Sequence, residues 1–275
     1  MKKTFTLLIA LTFLLSSCSQ AGPFQLHAEK KAAAKEYRPI PADFFPRKLT
    51  VVSAGDSLTE GVGDSTNQGG YLPYLKKMLE KDKWVKEAHF YNYGVKGNQT
   101  TDLLKRLQSP TLSGAIKKAD MVILTIGGND IMQVVRDNIS NLQISAFTKE
   151  KEVYISHLTR IFDIILAENP HASIVLVGLY NPFEKWFSNV EEMNQIVDDW
   201  NKAGQTVVAN YSNAYFVSIE DLFIKTNENL LYTDNFHPND KGYKLIAQRL
   251  HESLEERAIP DLEKRSYMVI KEGNF

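Results

Sequence analysis

Leu49-Thr50-Val51-Val52-Ser53-Ala54-Gly55-Asp56-Ser57-Leu58 is an apolar run that stops on a glycine and turns into a serine, and its reading decides the fold. An apolar run this nearly continuous is what a central strand covered on both faces looks like. The same character returns in Val122-Ile123-Leu124 within residues 121–126 and in Ile174-Val175-Leu176-Val177 within residues 173–179. Strands are also predicted at 49–54, 89–93 and 215–219. Helix-spaced segments lie between them. Residues 71–80 place Leu72, Leu75 and Leu79 on one face, 101–107 follow the second strand, and 153–167 carry Ile161, Ile164 and Ile165 at helical spacing. A last helix is predicted to begin at Pro238, a favoured first-turn residue, with Tyr243, Ile246, Ala247 and Leu250 on one stripe. Strands alternating with helices argue for parallel βαβ units rather than an antiparallel meander. No internal repeat and no second domain is visible. Tyr267-Met268-Val269-Ile270 leaves open a short added strand or a docked tail for 258–275.

At the N-terminus, Lys2-Lys3, an apolar run over 5–15 and Ser16-Ser17-Cys18 follow the order of a secretory signal. The apolar run falls short of the roughly 20 residues a membrane-spanning helix needs. Leu15-Ser16-Ser17-Cys18 resembles the bacterial lipobox, in which the cysteine becomes the lipidated first residue of the mature chain. Cys18 is the sole cysteine, which excludes an intrachain disulfide and a cysteine-based zinc site. Residues 19–47, with Ala32-Ala33-Ala34 among charges and then Pro39, Pro41 and Pro46, show no apolar periodicity. The expectation is a lipoprotein signal peptide at 1–17, a tether at 18–47 and one folded domain at 48–275. The domain would sit outside the cytoplasm, held to a membrane through lipidated Cys18. Loss of Lys2 and Lys3 with the signal takes the formal net charge from −1 to −3. A mildly acidic chain lacks the basic footprint of a nucleic-acid binder.

Four segments carry the chemistry. Gly55-Asp56-Ser57-Leu58 follows the first strand, where a turn serine can expose its hydroxyl at the carboxyl edge of the sheet. A turn serine is more often only a helix cap. Asp234-Asn235-Phe236-His237-Pro238 supplies what a nucleophilic serine needs, a base and an acceptor that orients the base. Separately, Asp234 reads as a helix-terminus anion and His237 as a surface histidine. Ile126-Gly127-Gly128-Asn129-Asp130 ends the most apolar strand, and the Asn129 amide suits a developing oxyanion as well as it suits a plain turn. Asn92-Tyr93-Gly94-Val95-Lys96-Gly97-Asn98 follows the second strand, and Gly97 would let a backbone N–H approach a ligand closely.

In this order the segments resemble the four blocks of the GDSL family of SGNH hydrolases, esterases and lipases named for Ser, Gly, Asn and His. The resemblance runs from residue 49 to about 250. It implies a three-layer α/β/α, flavodoxin-like SGNH hydrolase fold with a five-stranded parallel sheet. It also implies Ser57 as nucleophile, His237 as general base and then acid, and Asp234 as its orienter. The oxyanion donors would be the Ser57 and Gly97 backbone N–H groups and the Asn129 side chain. Gly97 is chosen over Gly94 because it falls five residues after Asn92.

Other chemistries are disfavoured. The Gly-x-Ser-x-Gly elbow of α/β-hydrolases is absent. The stretch from Gly61 to Gly70 lacks the Lys-Ser/Thr of a phosphate loop and reads as a mobile rim. No His-Glu-x-x-His occurs and the six histidines suggest no convincing metal cluster, so neither metal nor cofactor is expected. The aromatic segment from Tyr180, Asn181, Pro182 and Phe183 to Trp186 and Phe187 is expected to wall the site or cover the core, and 131–148 to form the opposite wall or a small lid. The substrate would be a lipid-like or short acyl ester, cleaved through an acyl-enzyme. The alternatives are an O-acetyl esterase acting on cell-envelope glycans, favoured by a polar and shallow cleft, and a non-catalytic lipid-anchored binding protein on the same scaffold.

Overall fold

The computed structural model describes residues 46–182, 190–224 and 228–272. Cys18, the expected signal and tether, and Phe183, Trp186 and Phe187 lie outside them. Strands β1 (Arg47–Gly55), β2 (Val85–Gly94), β3 (Met121–Thr125), β4 (Ser173–Val177) and β5 (Ala214–Val217) form one parallel sheet in the order β2-β1-β3-β4-β5. All five predicted strands are present. β2 starts earlier than predicted, because as an edge strand it alternates buried Val85 and Ala88 with polar, half-exposed neighbours that mask its character.

Between and after the strands run α1 (Ser57–Glu60), α2 (Leu72–Leu79), α3 (Thr100–Leu107), α4 (Pro110–Ile116), α5 (Gly128–Asp137), α6 (Ile144–Glu168), α7 (Val190–Val208), α8 (Glu220–Phe223), α9 (Asp240–Ser253), a π-helical turn (Leu254–Ala258) and α10 (Ile259–Glu272). Because strand side chains alternate, the sheet feeds two separate cores. Val52, Ala54, Val122, Leu124 and Leu176 pack under Leu103, Leu158, Phe162 and Trp200 on one face. Val51, Ile123, Val175 and Tyr215 pack under Leu75, Leu79, Tyr243 and Leu250 on the other. These are the three layers that the alternating pattern predicts.

Some boundaries differ from the expectation. Pro238 does not open α9. It pairs with Leu231 in a short antiparallel bridge, and Asn239 is the cap, its side chain accepting from the Lys241 and Gly242 N–H groups at 3.0 Å. Asparagine in an extended conformation is a better cap than proline is a first-turn residue here. The segment read as a strand or tail is helical, since buried Leu254, Ala258 and Ile259 dock the π turn and the start of α10 on the core. Residues 131–148, expected as a wall or a small lid, fold as α5 and the start of α6, and Ile131 and Met132 of α5 serve as the wall.

Consecutive strands leave β1 in opposite directions, to β2 on one side and to β3 on the other. The crevice at the carboxyl ends of β1 and β3 is the place such a sheet offers a ligand. Gly55 closes it tightly: φ is +145° and an added Cβ would lie 1.9 Å from the Thr125 carbonyl oxygen. That approach lets the Asp56 N–H donate to the same oxygen at 2.9 Å, which turns the chain into α1.

Candidate active site

Ser57 is the first residue of α1, capped by Asp56, whose Oδ1 accepts from the Leu58 N–H at 3.0 Å. From the far end of the chain His237 reaches it, with Nε2 2.8 Å from Ser57 Oγ. The other ring nitrogen, Nδ1, lies 2.7 Å from Asp234 Oδ2. With Asp234 ionised, Nδ1 carries the proton and Nε2 accepts from the serine hydroxyl. The turn that makes this possible puts Asn235 at φ +55° and lets Asp234 Oδ1 accept from the Phe236 and His237 N–H groups, both at 3.0 Å. Burial pushes the Asp234 carboxyl up, but the bonds from the His237 ring and from these two N–H groups outweigh it and leave the carboxyl below its ordinary value. Asp234 is thus held as the anion that orients the ring. The loop is braced from outside by the Tyr180 hydroxyl, which donates to the Phe236 carbonyl at 2.6 Å.

Beneath Ser57 lies a polar network that the sequence did not disclose. Thr125 Oγ1 donates to Asp56 Oδ1 at 2.9 Å, and Thr59 and Tyr71 continue the chain of hydroxyls at 2.7 and 3.1 Å. Burial pushes the Asp56 carboxyl up to about 7, against the bonds from Leu58 and Thr125 that favour its anion. The stretch from Gly61 to Gly70 is likewise no mobile rim. Asp64 is buried within it and accepts from the backbone N–H groups of Thr66, Gln68, Gly69 and Gly70 at 2.9 to 3.1 Å.

The loop after β2 comes next to Asn129. The Asn129 amide donates to the Asn98 carbonyl at 3.0 Å, which uses one of its two N–H bonds. From Gly94 to Thr100, six of seven backbone N–H groups have acceptors: Asn92 Oδ1, the Gly55 carbonyl, the Glu60 carboxylate, the Val95 carbonyl, Asp102 Oδ2 and the Asp130 carboxylate. Gly97 is the exception among the described residues. It is exposed, at φ +80°, with nothing within 4 Å of where a Cβ would be. Gly94, the rejected alternative, is a glycine for packing, since a Cβ there would come within 2.0 Å of the Glu60 nitrogen. Ser57, Asn129 and His237 line one cleft, whereas Gly97 stands on the neighbouring loop outside its lining.

That cleft opens to solvent and, with the open space at its mouth included, takes up about 690 Å³. Much of its lining is apolar: Ile131 and Met132 from α5, Met193 and Val197 from α7, and Leu179 and Pro182. Tyr180 lines it too, as the aromatic segment suggested. The methionine-bearing α7 is not among the elements the sequence pattern predicts.

Among the described residues one group, Asp82, His251 and Glu255, brings metal-ligating atoms within 4.8 Å of one another. Asp82 precedes β2 and His251 lies near the end of α9, whose start adjoins the site. A helix of this length spans about 21 Å. The group therefore sits at the opposite edge of the sheet from Ser57, and spacing in sequence could not have revealed it.

Comparison with known proteins bears on the fold and the family. The solved lipase Lip_vut3 from a goat rumen metagenome superposes with a TM-score of 0.67, at 22% identity, over 74% of this chain and 97% of its own. The spore germination lipase LipC of Bacillus licheniformis is 26% identical over 74% of this chain and 94% of its own length. The protein YpmR of Bacillus subtilis (strain 168) is 34% identical over 94% of this chain and 98% of its own. Residues 53–245 match the GDSL-like Lipase/Acylhydrolase family, a span that begins just before Ser57 and ends beyond His237. The chain belongs to that family.

Proposed function

We propose that the protein is a serine hydrolase of carboxylic esters with an apolar acyl group, working through an acyl-enzyme. The observation that carries the reading is the unbroken run Asp234 Oδ2, His237 Nδ1, His237 Nε2, Ser57 Oγ, at 2.7 and 2.8 Å. Ser57 Oγ attacks the ester carbonyl while its proton passes to His237 Nε2, and Asp234 stabilises the imidazolium that forms. Charge then develops on the former carbonyl oxygen. The Ser57 N–H, the Gly97 N–H and the second N–H of Asn129 receive it. On collapse the imidazolium returns the proton to the departing alcohol oxygen. Water repeats the sequence on the acyl-Ser57 ester, and the acid leaves.

The apolar wall between α5 and α7 favours an acyl chain over a bare acetyl group on a glycan, because methionine side chains fill and adapt around a flexible chain. Each buried methylene contributes about 0.8 kcal/mol. A series of p-nitrophenyl esters should therefore show kcat/KM rising from acetate to a medium chain. Met193→Trp, which narrows the groove, should move the optimum to shorter chains. Highest activity on acetate or acetylated glycans would favour the glycan esterase. No turnover of any ester, with no labelling of Ser57 by a fluorophosphonate, would favour a binding protein.

We further propose that Cys18 carries the lipid that holds this domain at an extracytoplasmic membrane face. Support comes from the order basic segment, apolar segment, small residues, cysteine. Two signals are usually needed for stable anchoring, and a doubly acylated cysteine supplies them. The full chain should fractionate with membranes and Cys18→Ala should not. A wild-type chain recovered without lipid would remove the anchor.

A further inference from the structure

The loop that presents Gly97 is held from behind by two groups that do not reach the cleft. Arg106, on α3, extends its guanidinium across the carboxyl ends of two strands. Its Nη1 donates to Asn98 Oδ1 at 2.9 Å and to the Gly55 carbonyl at 3.3 Å, and its Nη2 donates to the Tyr93 carbonyl at 2.6 Å. One cation thus joins the last residue of β1, the end of β2 and the residue after Gly97. Asp130, next to Asn129 in the first turn of α5, is buried and holds the other end of the loop. It accepts from the Thr100 N–H at 3.1 Å and from Thr100 Oγ1 at 2.5 Å. Since the Thr100 hydroxyl hydrogen is spent on Asp130, His157 Nδ1, 2.9 Å from that oxygen, must be the donor to it. Asp130 is also the anion at the N-terminus of α5, the same turn that carries Asn129.

An oxyanion pocket is only as good as the fixed spacing of its donors, because donors that must reorganise during the reaction lose their advantage. Here one donor is on the Gly97 loop and another on α5, two elements separated in sequence by α3, α4 and β3. The Asn129 to Asn98 bond, a bond from Gln99 Nε2 to the Asn129 carbonyl at 3.3 Å and the Asp130 to Thr100 bonds join them, while Arg106 fixes the loop to the ends of β1 and β2.

We propose that Arg106 and Asp130 are positioning residues that hold the Gly97 N–H and the Asn129 amide in register, acting on the developing oxyanion without touching the substrate. This rests on the ester-hydrolase reading of Ser57. Lysine in place of Arg106 keeps the charge but cannot form a planar fork across three acceptors. Valine in place of Thr100 keeps the shape but removes the hydroxyl from Asp130.

The test measures kcat, KM and melting temperature for Arg106→Lys, Thr100→Val and Thr100→Ser, each alone and combined with Asn129→Ala, on one p-nitrophenyl ester. Arg106→Lys and Thr100→Val should each lower kcat about 10–100-fold, the scale of a small misplacement remote from the chemistry, with KM nearly unchanged. Thr100→Ser should restore most of kcat. In the Asn129→Ala background the same substitutions should cost less, because one of the two donors they hold in register is gone. Equal losses in both backgrounds, or a lowered melting temperature with wild-type kcat, would overturn the proposal. A Ser57→Ala enzyme as active as wild type would instead sink the underlying reading, whatever the clamp variants do.

Discussion

Replacing Ser57 by alanine should lower kcat by about 10⁵–10⁶-fold, the loss seen when a triad nucleophile is deleted. Among the described residues lining the cleft, no other group is placed to take its position. The sole cysteine lies in the N-terminal segment, and the polar groups around the cleft, Thr125 and Asp56, are bonded to one another beneath the serine. The fold should survive, because the Oγ makes a single bond, to His237, and α1 keeps its cap through Asp56. Far-ultraviolet circular dichroism and the melting temperature should match wild type, and only wild type should take up a fluorophosphonate. Turnover by pure Ser57→Ala within an order of magnitude of wild type would end the serine mechanism.

Replacing Asp234 by asparagine should cost about 10²–10⁴-fold in kcat with a small change in KM, because an amide permits the ring to present the wrong nitrogen to Ser57. The amide oxygen of the new side chain could still accept from the Phe236 and His237 N–H groups, so the turn should hold. The substitution should also alter acid stability, and the sign follows from the lowered carboxyl. A group that is more acidic in the folded chain than in the unfolded one contributes stability that is complete above its ordinary range near 3.8 and is lost as pH falls through the lowered value. Urea midpoints of Asp234→Asn should therefore fall less steeply on acidification than those of wild type. An Asp234→Asn enzyme with wild-type kcat beside an inactive His237→Ala would leave Asp234 as a turn former only.

The triad and the sheet were legible in the sequence for different reasons. β1, β3 and β4 are buried on both faces, so their apolar runs leave little room for another reading. Ser57, Asp234 and His237 were legible because a hydroxyl nucleophile needs those two partners, and few segments of the chain offer them together. The helix α7 was missed because the charges of Glu192, Asp198 and Asp199 interrupt the stripe that Ile196, Val197, Trp200 and Val207 form against the sheet. Asp64 was missed for a related reason. Glycines at Gly61, Gly63, Gly69 and Gly70 suggest freedom, while the carboxylate that collects their neighbours' N–H groups is one polar residue among several. Arg106 and Asp130 were invisible because their partners lie on other elements, and only the order of the strands brings those together.

The two atoms whose bond defines the site, Ser57 Oγ and His237 Nε2, are 180 residues apart along the chain. One arrives with the first strand of the sheet and the other only after the fifth. A chain emerging from the ribosome thus carries its hydroxyl through the synthesis of 180 further residues without a base beside it. Parallel sheets with such distant pairings close slowly. During that interval the chain lacks the Ser57–His237 pairing that the proposed hydrolysis requires. Stopped-time labelling of a refolding sample with a fluorophosphonate would then report the last event of folding rather than the first, with adduct appearing after secondary structure is complete.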